Sequence, residues 1–150
     1  MTETTAPYAV DALQPFIGEW HMAAGLASDA ADPPHAVTTF AWLAGRRFLI
    51  QRWEVEHPDA PDGIAIIGFD PARNTLVQNY FDSRGVARVY DMAFDGKVWT
   101  LQRFATEPDF SQRFTGTFSN DEGVITGRWE TSSDGATWVH DFDLTYMRAG

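Results

Sequence analysis

The sequence predicts an all-β chain that closes into a single antiparallel barrel of about ten strands. Turn signals recur about every 8–12 residues, and the segments between them are rich in β-branched and aromatic residues. Within those segments apolar and polar residues alternate, the period of a strand with one face buried. The turns are LAGRR at 43–47, HPDAPDG at 57–63, DPARN at 70–74, DSRG at 82–85, DG at 95–96, TEPD at 106–109, SNDEG at 119–123 and SSDG at 132–135. Asp-Gly between alternating runs is a strong hairpin signal, because glycine accepts positive φ at little cost.

Taken in order, residues 1–8 read as a flexible tail, and residues 10–16 as a short helix, limited by Pro15, that caps one end of the barrel. Strands follow at 18–26 and 36–43, separated by a loop, LASDAADPP, at 26–34. The next are FLIQRWEVE (48–56), IAIIGF (64–69), TLVQNYF (75–81), VARVYDMAF (86–94), KVWTLQRF (97–104) and FSQRFTGTF (110–118). A strand carrying Ile125 and Trp129 and a final one, TWVHDFDLTYM (137–147), complete the set. Closure into a barrel removes the unpaired edges such a meander would otherwise expose.

At 150 residues the chain fits one domain with one core. A net charge of −10 argues against nucleic acid as a partner, since phosphate binding needs a basic face, and against an anionic membrane surface. The absence of cysteine removes disulfides, thiolate nucleophiles and Cys-based zinc sites. With no basic leader and no long apolar run, the expected location is the cytoplasm.

Alternation assigns an interior. On the last strand Trp138, His140, Phe142, Leu144, Tyr146 and Arg148 share the apolar face, and Asp141 and Asp143 share the other, which is expected to be solvated. Phe110, Phe114 and Phe118 point inward by the same rule, as do Trp129, Trp99, Leu49, Gln51 and Trp53. Arg88 and Tyr90 on one strand and Arg103 on the next fall on inward faces too. A buried arginine needs a carboxylate, water or an anionic ligand, unless it snorkels to the rim or a bulge turns it out. His140 reads either as a satisfied structural histidine or as part of a polar group inside the barrel.

Gly18-Glu19-Trp20 at the first strand, after a short helix, with Arg148 in the closing LTYMRAG, resembles the calycin superfamily of lipocalins, fatty-acid-binding proteins and nitrobindins. The resemblance implies that Trp20 sits at the closed end and that Arg148 packs across it, a cation–π contact worth about 0.5–2 kcal/mol. The wider layout (FIGEW, LAGRRFL, GFDPARN, YFDSRG, then DGATW with Tyr146 and Arg148) resembles an uncharacterised bacterial calycin-like family of similar length. Nitrobindins hold haem through a last-strand histidine in an H-x-H-x-x-Y pattern. Aligned on Tyr146, those positions here are Asp141 and Asp143, so haem binding would require a one-residue shift that brings in His140.

No HxH, HExxH, G-x-S-x-G or glycine-rich phosphate loop occurs, so neither a metal site nor a serine nucleophile is expected. The leading expectation is a carrier for a small hydrophobic or amphipathic molecule, with or without an acidic group. Gln51, Trp53, Arg88, Tyr90, Trp99, Arg103, Trp129, Trp138, His140 and Tyr146 would form its site. No cofactor is expected in that reading; a haem protein and a small isomerase or cyclase using His140 as acid and base are the alternatives. A packed barrel acting through its surface, as a homodimer for instance, is the plainest option.

Overall fold

A computed structural model describes residues 9–24, 36–56, 60–105 and 108–149. The expected tail at 1–8 and the expected loop at 26–34 lie outside them. A 3₁₀ helix, Ala9–Phe16, is followed by ten strands: β1 (Gly18–Ala24), β2 (Ala36–Trp42), β3 (Phe48–Val55), β4 (Gly63–Asp70), β5 (Thr75–Asp82), β6 (Ala87–Phe94), β7 (Val98–Arg103), β8 (Ser111–Phe118), β9 (Val124–Ser132) and β10 (Val139–Arg148). Each strand pairs with its neighbours in sequence, and β1 pairs with β10 to close the barrel. Every pairing is antiparallel, as tight turns require. Among the described residues no helix is long and apolar enough to cross a membrane.

The helix is 3₁₀ because its apolar residues are spaced by three. Val10, Leu13 and Phe16 fall on one edge at three residues per turn, and none is more than 1% exposed. That edge plugs the lower end of the barrel. The Phe16 ring meets Phe40, Phe94, Trp99 and Phe118 at centroid distances of 5.2, 5.0, 4.9 and 5.0 Å. All four pairs are edge-on or tilted, the geometry aromatic quadrupoles prefer.

Trp20, fully buried, lies in this floor and donates from Nε1 to the Phe16 carbonyl at 2.9 Å. Its register partner on β10 is Arg148, whose guanidinium carbon stands 4.1 Å from the indole centroid. The same guanidinium donates to the carbonyls of Pro15 (2.7 Å), Ile17 (2.8 Å) and Glu122 (3.1 Å). One cation therefore ties together the helix end, the start of β1, the β8–β9 turn and the last strand. Gly18 makes room for it: φ is +128°, and a Cβ there would stand 3.0 Å from Arg148 Nη1. Gly18→Ala should lower the unfolding free energy by about 1–3 kcal/mol, from an unfavourable backbone and a displaced guanidinium. The urea midpoint measures this, and an unchanged midpoint would show that Arg148 does not need that approach.

β10 departs from simple alternation. His140 pairs with Glu130 and Phe142 with Trp129, so Asp141 is an extra, bulged residue. The bulge keeps Phe142 inward and reverses the residues before it.

Candidate functional site

Above the aromatic floor, at the end of the barrel away from the helix, the strands enclose a cavity of about 510 Å³. It exists because the inward residues change character along each strand. Near the helix they are large and interlocked; toward the other end several are polar or lie flat against the wall. Trp53 is the clearest case. Its ring covers Gly63 on β4, where a Cβ would come within 2.1 Å of the indole, and it stacks on Tyr80 at 5.4 Å. Glycine opposite the tryptophan is what lets the ring lie along the sheet. An aromatic belt continues from Tyr80 to Tyr90 (6.3 Å), Trp129 (5.7 Å) and Phe142 (6.4 Å). Trp99, Phe114 and Tyr146 form the base of the cavity.

One sector of the wall is polar and cationic. Gln112 Oε1 accepts from Tyr90 Oη (2.9 Å), Arg103 Nε (3.2 Å) and Arg88 Nη1 (3.3 Å). Two guanidinium groups thus share one neutral oxygen. Arg103 is neutralised by Asp109, at 2.9 Å, and also donates to the Phe110 carbonyl at 2.8 Å. Hydrogen bonds from Arg103 hold the Asp109 carboxyl below its usual range. Arg88, by contrast, has no carboxylate within 4.0 Å among the described residues. Both guanidinium carbons sit 5.3 Å from the Phe110 ring centroid. At the mouth, Arg84 lines the opening but is matched by Asp82, at 2.6 Å, whose other donor is the Tyr80 hydroxyl, also at 2.6 Å. Arg84 above all, with Tyr80, holds the Asp82 carboxyl well below the ordinary carboxylate range.

The structure brings Gln51, Trp53, Arg88, Tyr90, Trp99, Trp129 and Tyr146 together on the cavity wall. Arg103 faces the same sector but stands behind Gln112 and Phe110. Two inward expectations are corrected. His140 is turned outward by the bulge at Asp141, pairs beside Glu130 and places Nε2 2.8 Å from Asp143 Oδ1. Trp138 precedes β10, so strand alternation does not reach it. Its ring packs on the outer wall, 4.3 Å from the Arg113 guanidinium carbon and 6.4 Å from Phe104. Asp141, expected on the solvated face, borders the cavity instead.

The wall also holds Gln78, Tyr80 and Gln112, which the sequence reading did not single out. Alternation with Leu76 and with Phe110 and Phe114 was the available signal. The wall carries no histidine among the described residues, so the side chains present do not fit a histidine-ligated haem. An acid–base role for His140 inside the barrel falls for the same geometric reason. His21 is exposed on β1; His35 and His57 lie outside the described residues. Among the described residues no cluster of three or more His, Asp or Glu could hold a metal.

Burial raises the hydroxyl pKa of Tyr80, Tyr90 and Tyr146 above the ordinary phenol value. Asp82 adds to the rise at Tyr80, while a hydrogen bond from Gln51 opposes it at Tyr146. A folded pKa above the unfolded one means that the contribution is complete below about pH 10 and is lost as pH rises beyond it. Tyrosinate absorbance at these three positions should therefore appear together with loss of the folded state, in one alkaline transition. Three independent titrations in a chain that keeps its fold would contradict the enclosure described here.

No curated protein matches the chain. Residues 9–146 match the family described as "Protein of unknown function (DUF1579)", so the match spans the helix and all but the last two residues of the barrel wall, and the chain belongs to that family.

Proposed function

We propose that this chain is a cytoplasmic carrier of calycin type that holds one small, mostly apolar anion in the barrel cavity. The observation that carries the reading is Arg88. It stands on an aromatic wall, shares a single neutral oxygen with a second guanidinium, and has no carboxylate within 4.0 Å among the described residues, Asp109 being paired with Arg103 and acting on Arg88 only at longer range. A charge held in such surroundings favours a ligand that supplies the missing anion. The belt from Trp53 to Phe142 supplies apolar contact around it. The indole–guanidinium floor made by Trp20 and Arg148 supports the calycin assignment.

Trp53, Trp99 and Trp129 line the cavity, so intrinsic fluorescence reports on occupancy directly. Titration with 2-naphthoate and with hexadecanoate should change the emission saturably for at least one of them, and the matching methyl ester should bind more weakly. Equal affinity for acid and ester would remove the anion from the proposal.

A further inference from the structure

The outer wall over β3 to β6 is apolar, although the outside of a barrel faces water. Alternation and register bring Phe48, Ile50, Ile64, Ile66, Phe81 and Val89 together there. Phe48, Phe81 and Val89 are 42%, 43% and 53% exposed, and the three isoleucines are half-buried. Between Phe48 and Arg52 on β3, Ile64 and Gly68 on β4, and Val77 and Phe81 on β5, Arg52 is the only charged residue on the outward face. The opposite wall is built differently: Arg113, Arg128 and Glu130 stand there in ion pairs.

This band presents roughly 400–500 Å² of apolar surface, the upper range of what a monomer leaves open. Two copies stacked on it cover about twice that area and a polar rim besides, reaching the roughly 1,000 Å² of a specific interface.

The register also makes the band complementary to itself. Its middle row runs Ile50, Ile66, Asn79, Val89 across the strands. The row on one side carries Arg52, Ile64 and Phe81, and the row on the other carries Phe48, Gly68 and Val77. A two-fold axis along the middle row sets each flanking row against the other flanking row of the partner. Phe81 then meets the partner's Val77, large against small, and Arg52 meets the partner's Phe48. The Phe48 ring lies across Gly68, where a Cβ would stand 2.5 Å from it, so the ring is laid on the wall with its outer side open. Arg52 is exposed and has no ion pair or side-chain hydrogen bond among the described residues. A guanidinium over an aromatic ring is a favourable contact.

We infer that this face binds a second copy of the chain, giving an isologous dimer in which the β3–β6 walls stack about the row of Ile50, Ile66 and Val89. The inference stands apart from the carrier reading, since the band lies on the outside of the barrel.

Sedimentation equilibrium of the full chain across the micromolar range tests it, and the mass should approach twice that of one chain. Ile66→Lys and Phe81→Lys should each raise the dissociation constant about 100-fold, because a change in a two-fold interface is met twice. Thr126→Lys, on the exposed face of β9, should leave the mass unchanged. Arg52→Gln and Phe48→Leu should each weaken the dimer, and the double variant should lose little more than either alone. A single-chain mass at every concentration overturns the inference, and so does a dimer that survives both lysine substitutions. Strictly additive losses at Arg52 and Phe48 overturn the two-fold stacking. A monomer that cosediments with phosphatidylcholine vesicles, and stops doing so in Ile66→Lys, assigns the face to a lipid surface and overturns the second copy. If a lysine variant fails to fold, the mass of the unsubstituted chain still decides.

Discussion

Arg148→Met should lower the unfolding free energy by about 2–4 kcal/mol, and Trp20→Ala by about 3–5 kcal/mol, the largest losses expected from single changes in this chain. The reason is the number of elements that meet there. The Arg148 guanidinium satisfies carbonyls of Pro15, Ile17 and Glu122 and covers the Trp20 ring at 4.1 Å. Methionine retains the apolar stem but leaves three carbonyls without that donor. Trp20→Ala removes a fully buried indole from the centre of the floor and frees the Phe16 carbonyl. Urea unfolding followed by far-ultraviolet circular dichroism measures both. Because the clamp joins the two ends of the meander, the variants should also expose β1 and β10 amides to hydrogen exchange before those of β4 and β5. Losses below about 0.5 kcal/mol for both, a surface-like value, would mean that barrel closure rests elsewhere.

Arg88→Met should weaken binding of a carboxylate ligand by about 10–100-fold and leave the binding of its methyl ester nearly unchanged. The side chain gives the fold one 3.3 Å bond to an oxygen that keeps two other donors, and one contact, at 5.3 Å, with a Phe110 ring that Arg103 also covers. The melting temperature should therefore hold. Arg103→Met is the informative contrast. That residue is engaged by Asp109 and the Phe110 carbonyl, so its loss should lower stability more than affinity. The reverse ranking, with Arg103 controlling affinity and Arg88 controlling stability, would place the anion elsewhere.

Much of this architecture is legible in the sequence because it rests on local rules. Regular turn chemistry fixes the strand count, and period-two alternation puts Gln51, Trp53, Tyr90, Trp99, Trp129 and Tyr146 on the inner face. The Trp20–Arg148 contact follows no local rule; it is implied by the resemblance of Gly18-Glu19-Trp20 and Arg148 to the calycin pattern, and the two groups do meet. What fails depends on backbone irregularity. The run His140-Asp141-Phe142-Asp143 reads as clean alternation, and nothing in its composition marks Asp141 as the bulged residue. That one inserted residue turns His140 out, brings Asp141 to the cavity and removes the histidine on which the haem and isomerase alternatives depended. Trp138 departs from its expected inward position for a related reason: it stands just ahead of β10, where the strand's parity does not apply. Gln112 is not legible in the sequence because a neutral amide carries no signal of its own. Its role emerges only when the register opposite Arg103 and the approach of Arg88 from β6 are known.

An anion-binding cavity in the barrel must show itself in thermal unfolding with added ligand. A ligand that binds only the folded state adds about 2.7 kcal/mol at a hundred times its Kd. The melting temperature should rise steadily with the logarithm of 2-naphthoate or hexadecanoate concentration, and the rise should be much smaller in Arg88→Met. A melting temperature indifferent to both acids, in a chain that is otherwise cooperatively folded, would mean that the barrel is no anion carrier.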